Sequence, residues 1–151
     1  IGKLTAKMFS SLGLEVFAYD LYPDKEWINK NNIKLISFKE LLKNADIVSI
    51  HISRDSNNSL ITRDELSIMK EDSILINVSR GGVVDENDLK EFLKNNKIKG
   101  AAIDVFSKEP YKGKFTELNN VVLTPHIGSY SIESKIQMEI DATKNLINYF
   151  K

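Results

Sequence analysis

Six short apolar runs, most of them separated by stretches of helical spacing, divide this chain from end to end, and that alternation constrains its fold more than anything else in it. The runs are residues 15–19, 33–36, 46–52, 73–78, 100–105 and 121–124. The stretch before the first run places Leu4, Met8, Phe9 and Leu12 at helical spacing and stops at Gly13. Phe38, Leu41 and Leu42 mark a short helix after the second run, and Thr62–Met69 opens with Thr62 and Glu65 in the spacing of a capping box. Asp85 stands where an N-cap should, ahead of Leu89, Phe92 and Leu93, and the pattern frays at Asn95-Asn96. A last helix is expected over Ser131–Phe150, with Ile136, Ile140, Thr143 and Ile147 on one side.

Strands that alternate with helices must be joined by crossovers, and crossovers make neighbouring strands parallel. The expected fold is therefore α/β: a Rossmann-like, doubly wound parallel sheet with helices on both faces. At 151 residues the chain suits a single domain over 1–151. Its 21 basic and 21 acidic side chains cancel, and no Lys/Arg block is long enough for a nucleic-acid footprint. Zero cysteines exclude disulfides, thiolate catalysis and Cys-ligated metal, and fit a cytoplasmic protein. No metal site is expected, and no apolar run approaches the roughly 20 residues of a membrane span.

Open α/β sheets bind ligands beyond the carboxyl ends of their strands, so the residues just past each run carry the functional reading. Gly2 opens the first helix, and Asp20 follows eighteen residues later at the end of a strand. That spacing suits the last glycine of a dinucleotide fingerprint and the acid that accepts ribose hydroxyls. If so, the earlier glycines and the first strand precede residue 1, and the N–H groups of the first turn near Ile1 and Gly2 face a pyrophosphate. An anion at Asp20 repels a 2′-phosphate, which favours NAD over NADP.

Only three arginines occur against eighteen lysines, and only two histidines. Arg80 lies in Asn77-Val78-Ser79-Arg80-Gly81-Gly82, just after a strand, where its planar fork can hold a carboxylate as a lysine cannot. His126 follows the run 121–124 in Thr124-Pro125-His126-Ile127-Gly128, and imidazole is the natural acid/base near neutrality. Glu109, before Pro110, can orient that ring and stabilise its imidazolium. Asp104 either bonds a nicotinamide carboxamide or caps its own loop, and His51 and Ser53 border the cofactor or serve structure alone. A surface arginine, a strand-end histidine and a solvated glutamate are the bland alternatives for each residue taken singly.

Taken in order, Asp20, Asn77-Val78-Ser79-Arg80-Gly81, Asp85, Asp104-Val105-Phe106, Glu109-Pro110 and Thr124-Pro125-His126-Ile127-Gly128 make the chain resemble the D-isomer-specific 2-hydroxyacid dehydrogenase family, which includes phosphoglycerate, D-lactate and hydroxypyruvate reductase enzymes. The resemblance covers nearly the whole chain. It implies an oxidoreductase that moves a hydride between NAD(H) and a D-2-hydroxy acid/2-oxo acid pair. By it, Arg80 binds the substrate carboxylate and carbonyl, His126 is the acid/base, and Glu109 is its partner. The implied cofactor contacts are Ile1, Gly2, Asp20, His51, Ile52 and Ser53 on one side. Val78, Ser79, Arg80, Asp104, His126 and Gly128 supply the nicotinamide end.

The resemblance also implies a homodimer, a small-molecule substrate, and a separate substrate domain ahead of residue 1. The helix over 131–151 would lead back toward that domain with part of its apolar side uncovered. One departure concerns Ser53–Ser59, which replaces a proline and a longer Thr-containing loop. Glutamate rather than glutamine at 109 argues against the formate dehydrogenase branch. Two other readings remain: a non-catalytic NAD(H)-sensing module, and a module whose function is dimerisation.

Overall fold

A computed structural model of the chain describes residues 1–53 and 58–150. Six parallel strands form two sheets. The first pairs β1 (Phe17–Ala18) with β2 (Lys34–Leu35). The second runs β3 (Ile47–Ile50), β4 (Ile74–Asn77), β5 (Gly100–Ile103) and β6 (Val121–Leu123) in spatial as well as chain order. Helices α1 (Gly2–Ser11), α3 (Phe38–Asn44), α4 (Arg63–Ile68), α5 (Glu86–Lys94) and α6 (Ile132–Tyr149) occupy the stretches of helical spacing. The sixth, α2 (Lys25–Lys30), has no clear periodic signal in six residues. Asp24 starts it by accepting from the Trp27 N–H at 3.0 Å. A 3₁₀ turn over Lys114–Glu117 is likewise absent from the sequence pattern.

The capping boxes explain where the helices begin. Thr62 and Glu65 form the expected one, and Ser37 with Glu40 forms a second. Asp85 accepts from the N–H groups of Asn87 and Asp88, both at 2.9 Å, and Ser131 caps α6. The 15–19 and 33–36 runs contribute two residues each to regular strand, because each pairs only with the other. Their ladder extends from Lys34 N–H on the Val16 carbonyl to Ile36 N–H on that of Ala18.

Strand alternation sorts the larger sheet into two faces. Register rows Val48–Leu75–Ala101 and Ile50–Asn77–Ile103 are buried. They meet Leu42, Leu66, Leu89, Phe92 and Leu93 of α3, α4 and α5 in one core. Ser49, Ile76 and Ala102 point to the other face. His51 extends that alternation by one step, its Nε2 2.9 Å from Ser49 Oγ. A Cβ on Gly2 would lie 3.4 Å from the His51 Cβ, so α1 begins against this second face. Helices thus reach the sheet from both sides. The apolar sides of α1 and α6 face outward: Leu4, Met8, Ile136 and Leu146 are each more than half exposed.

Candidate active site

All four strands of the larger sheet end on one edge, at the register row Ile50, Asn77, Ile103 and Leu123. The next residues along that edge are His51, Val78, Asp104 and Thr124, so the chain's loops converge there.

The loop after β4 keeps the strand's alternation for three more residues. Asn77 and Ser79 are buried, while Val78 and Arg80 face out. Arg80 donates from Nη1 to the Ser79 carbonyl at 2.7 Å, which holds the base of its fork. Gly82, at φ +75, then turns the chain. Ser59 donates to the Gly82 carbonyl at 2.9 Å, and the Leu60 and Ile61 N–H groups donate to that of Val83. Gly81 is confined from the opposite side: a Cβ there would fall 2.0 Å from the Phe106 carbonyl oxygen. The Arg80 loop and the loop after β5 therefore pack backbone against backbone.

That second loop carries Glu109, whose bond to Pro110 is cis. One Glu109 oxygen accepts from the Phe106 N–H at 3.0 Å, and the other lies 3.0 Å from His126 Nδ1. The hydrogen bond with His126, and after it that from Phe106, holds the Glu109 carboxyl below its ordinary range. An ionised carboxylate only accepts, so Nδ1 carries a proton and Nε2 is the nitrogen left to exchange one.

His126 itself sits at φ +55, a left-handed conformation uncommon outside glycine. Asp104 holds it there by gripping the chain on either side. Its Oδ1 accepts from Thr124 Oγ1 at 2.6 Å and from the Ile127 N–H at 3.0 Å, and Oδ2 accepts from the Gly128 N–H at 3.3 Å. Burial pushes the Asp104 carboxyl up, but these hydrogen bonds outweigh it and leave the group below its usual range. A depressed carboxyl contributes stability that is full above its unfolded value and is lost as pH falls through the folded one. Asp104→Asn should therefore melt below the unsubstituted chain at neutral pH, and the gap should close on acidification below about pH 4. Melting curves across that range would show it; a gap independent of pH would mean the charge is not what holds the loop.

On the second face of the sheet, Ile1, His51, Ile52, Ser53, Val78, Ser79 and Arg80 line a cleft of about 210 Å³. Burial pushes the half-buried His51 imidazole below its usual value, so it stands there neutral near pH 7. Gly2 is in the first turn of α1 beside this cleft, and among the described residues no side chain caps that turn. Asp20 lies apart, past the end of β1 in the smaller sheet, with Oδ1 accepting from the Tyr22 N–H at 2.8 Å. The structure thus joins Glu109 to His126, and His126 through its loop to Asp104. Residues 54–57 of the Ser53–Ser59 loop lie outside those described. Among the described residues no cluster of His, Cys, Asp or Glu could hold a metal, and no helix is long and apolar enough to cross a membrane. Asn77 acts on residues two and three positions further on, as a polar residue ending a strand can, whereas the close approach of Gly81 to Phe106 has no local sequence signal.

Residues 1–128 match the family model described as D-isomer specific 2-hydroxyacid dehydrogenase, NAD binding domain. A glyoxylate reductase from Thermococcus litoralis is 39% identical over all of this chain and 46% of its own length. A D-3-phosphoglycerate dehydrogenase from Archaeoglobus fulgidus is 34% identical over all of the chain and 29% of its own. The crystal structure of a D-lactate dehydrogenase from Aquifex aeolicus, complexed with NAD and lactic acid, superposes with a TM-score of 0.88 at 27% identity, covering 99% of this chain and 50% of that one. The chain spans less than half the length of the two curated relatives.

Proposed function

This chain belongs to the D-isomer-specific 2-hydroxyacid dehydrogenase family through its NAD-binding domain, and on that premise we propose that it serves an oxidoreductase acting on a D-2-hydroxy acid/2-oxo acid pair. The observation that carries the reading is the strand edge where Arg80 and the Glu109–His126 pair are held by loops that pack directly on one another. Arg80 binds the carboxylate of the 2-oxo acid and polarises its carbonyl. His126 gives its Nε2 proton to the carbonyl oxygen during reduction and takes it back during oxidation. Glu109 keeps the ring in register and balances the imidazolium charge.

The residues fit a dinucleotide. The uncapped first turn of α1, with Ile1 and Gly2, would hold the pyrophosphate. Asp20 would take the adenosine ribose, which favours NAD over a 2′-phosphorylated form. The cleft side chains His51, Ile52, Ser53, Val78 and Ser79, with Asp104, His126 and Gly128, would border the nicotinamide. When bound, that cofactor supplies or accepts the hydride; the protein supplies position and charge. Water exclusion belongs to a companion substrate domain in the remaining length that the relatives possess, toward which α6 leads. A homodimer and a cytoplasmic location complete the proposal.

NADH oxidation by the protein together with that companion domain, measured across a panel of 2-oxo acids, tests it. Turnover is expected with at least one acid. Arg80→Lys is expected to lower kcat/KM about 10- to 100-fold, the loss of one charge-assisted hydrogen bond of a bidentate pair. Binding of NADH without turnover on any acid would instead favour a sensing module.

A further inference from the structure

The position of Arg80 is set by a residue that faces away from the cleft, and we propose that Asn77 is a positioning residue for the substrate carboxylate. The inference rests on the reading of Arg80 as the carboxylate-binding group. Asn77 ends β4, an interior strand, in a register row whose neighbours Ile50 and Ile103 are buried and apolar. A bare amide in such a row is costly, and an aliphatic side chain would fill it at less expense of hydration.

The loop that follows instead takes up both lone pairs of the amide oxygen and one of its two N–H groups. Its Oδ1 accepts from the Ser79 N–H at 3.1 Å and from Ser79 Oγ at 2.8 Å. Its Nδ2 donates to the Arg80 carbonyl at 3.1 Å. One planar group thus fixes the peptides on both sides of the Ser79–Arg80 bond. The Ser79 carbonyl between them is the acceptor on which Arg80 Nη1 rests. Asparagine is suited to this because it presents an acceptor and a donor at a single reach. The buried pair Asn77 and Ser79 therefore aims the exposed residue beside them.

Asn77→Asp keeps size and the acceptor toward Ser79, and turns a second oxygen on the Arg80 carbonyl in place of the donor. In the protein with its companion domain it is expected to raise KM for the 2-oxo acid about tenfold. The affinity for NADH, read by fluorescence titration, should change much less. In an Arg80→Lys background the same substitution should add less than about twofold, because the two changes act on one contact. An equal rise in both backgrounds, or an unchanged KM, would overturn the positioning role. If Arg80→Lys alone left KM and kcat untouched, the reading of Arg80 would fail first and this inference with it. Should Asn77→Asp not fold, Ser79→Ala loosens the same peptides and is expected to raise KM about threefold; no change there would equally overturn the proposal.

Discussion

Replacing His126 by alanine is expected to lower kcat by about 10²- to 10⁴-fold, the usual contribution of a positioned acid/base. Under the proposed mechanism the imidazole, paired with Glu109 through Nδ1, moves the substrate proton from Nε2. The Glu109 carboxyl is held below its ordinary range by His126 and the Phe106 N–H, so it accepts from the ring rather than supplying a proton. NADH should still bind, since the cleft is lined by Ile1 and by the residues that follow β3 and β4, not by His126. Steady-state turnover beside cofactor titration of the same preparation separates these effects. A variant that kept most of its rate would refute the assignment of the proton to this ring.

Gly81→Ala is expected to be the most damaging change of a single methyl group in the chain. The added carbon would fall 2.0 Å from the Phe106 oxygen, 2.1 Å from its carbonyl carbon and 2.6 Å from the Ser107 nitrogen. All three are backbone atoms, so no side chain can rotate out of the way. The two loops must separate, at a cost of about 3 kcal/mol or more, which corresponds to a melting temperature lower by roughly 6–12 °C for a domain of this size. Gly13→Ala is the control. Nothing lies within 4 Å of its Cβ, and only its φ of +84 opposes the change, so about 1–2 kcal/mol is expected. Calorimetry of the two variants gives the comparison; equal losses would mean that the Gly81 contact relaxes freely.

Much of this molecule is legible in the order of its residues, because the legible parts rest on local rules. Apolar runs of four to seven residues each hold a strand, Thr62 with Glu65 starts a helix, and Asp85 caps the next. The same holds for pairs that sequence motifs bring to one strand edge, such as Glu109 and His126. What stays hidden is set by approach between distant segments. Nothing near Gly81 announces Phe106, and nothing near Asp104 says that its carboxylate will be taken up by Thr124, Ile127 and Gly128. Sequence spacing allowed Asp104 either a ligand role or a loop role; the geometry shows the loop hydrogen bonds, and its part toward a cofactor stays with the proposal. Helix α2 escaped for a different reason: six residues are too few for a period to repeat, and unlike α4 it opens without a capping box to mark it.

β6 is one of the two edge strands of the larger sheet, paired only with β5 among the described residues, with Val122 64% exposed. His126 follows it, while Glu109 comes from the loop after β5. The Glu109–His126 hydrogen bond consequently exists only while the margin of the sheet is docked. Fraying of an edge is a low-cost opening for such a fold, and here it would separate the ring from its carboxylate while loosening only the Val121 and Leu123 contacts at the rim of the core. Under the proposed mechanism the chemistry is thus tied to an edge strand, and heating is expected to cut turnover before the core melts.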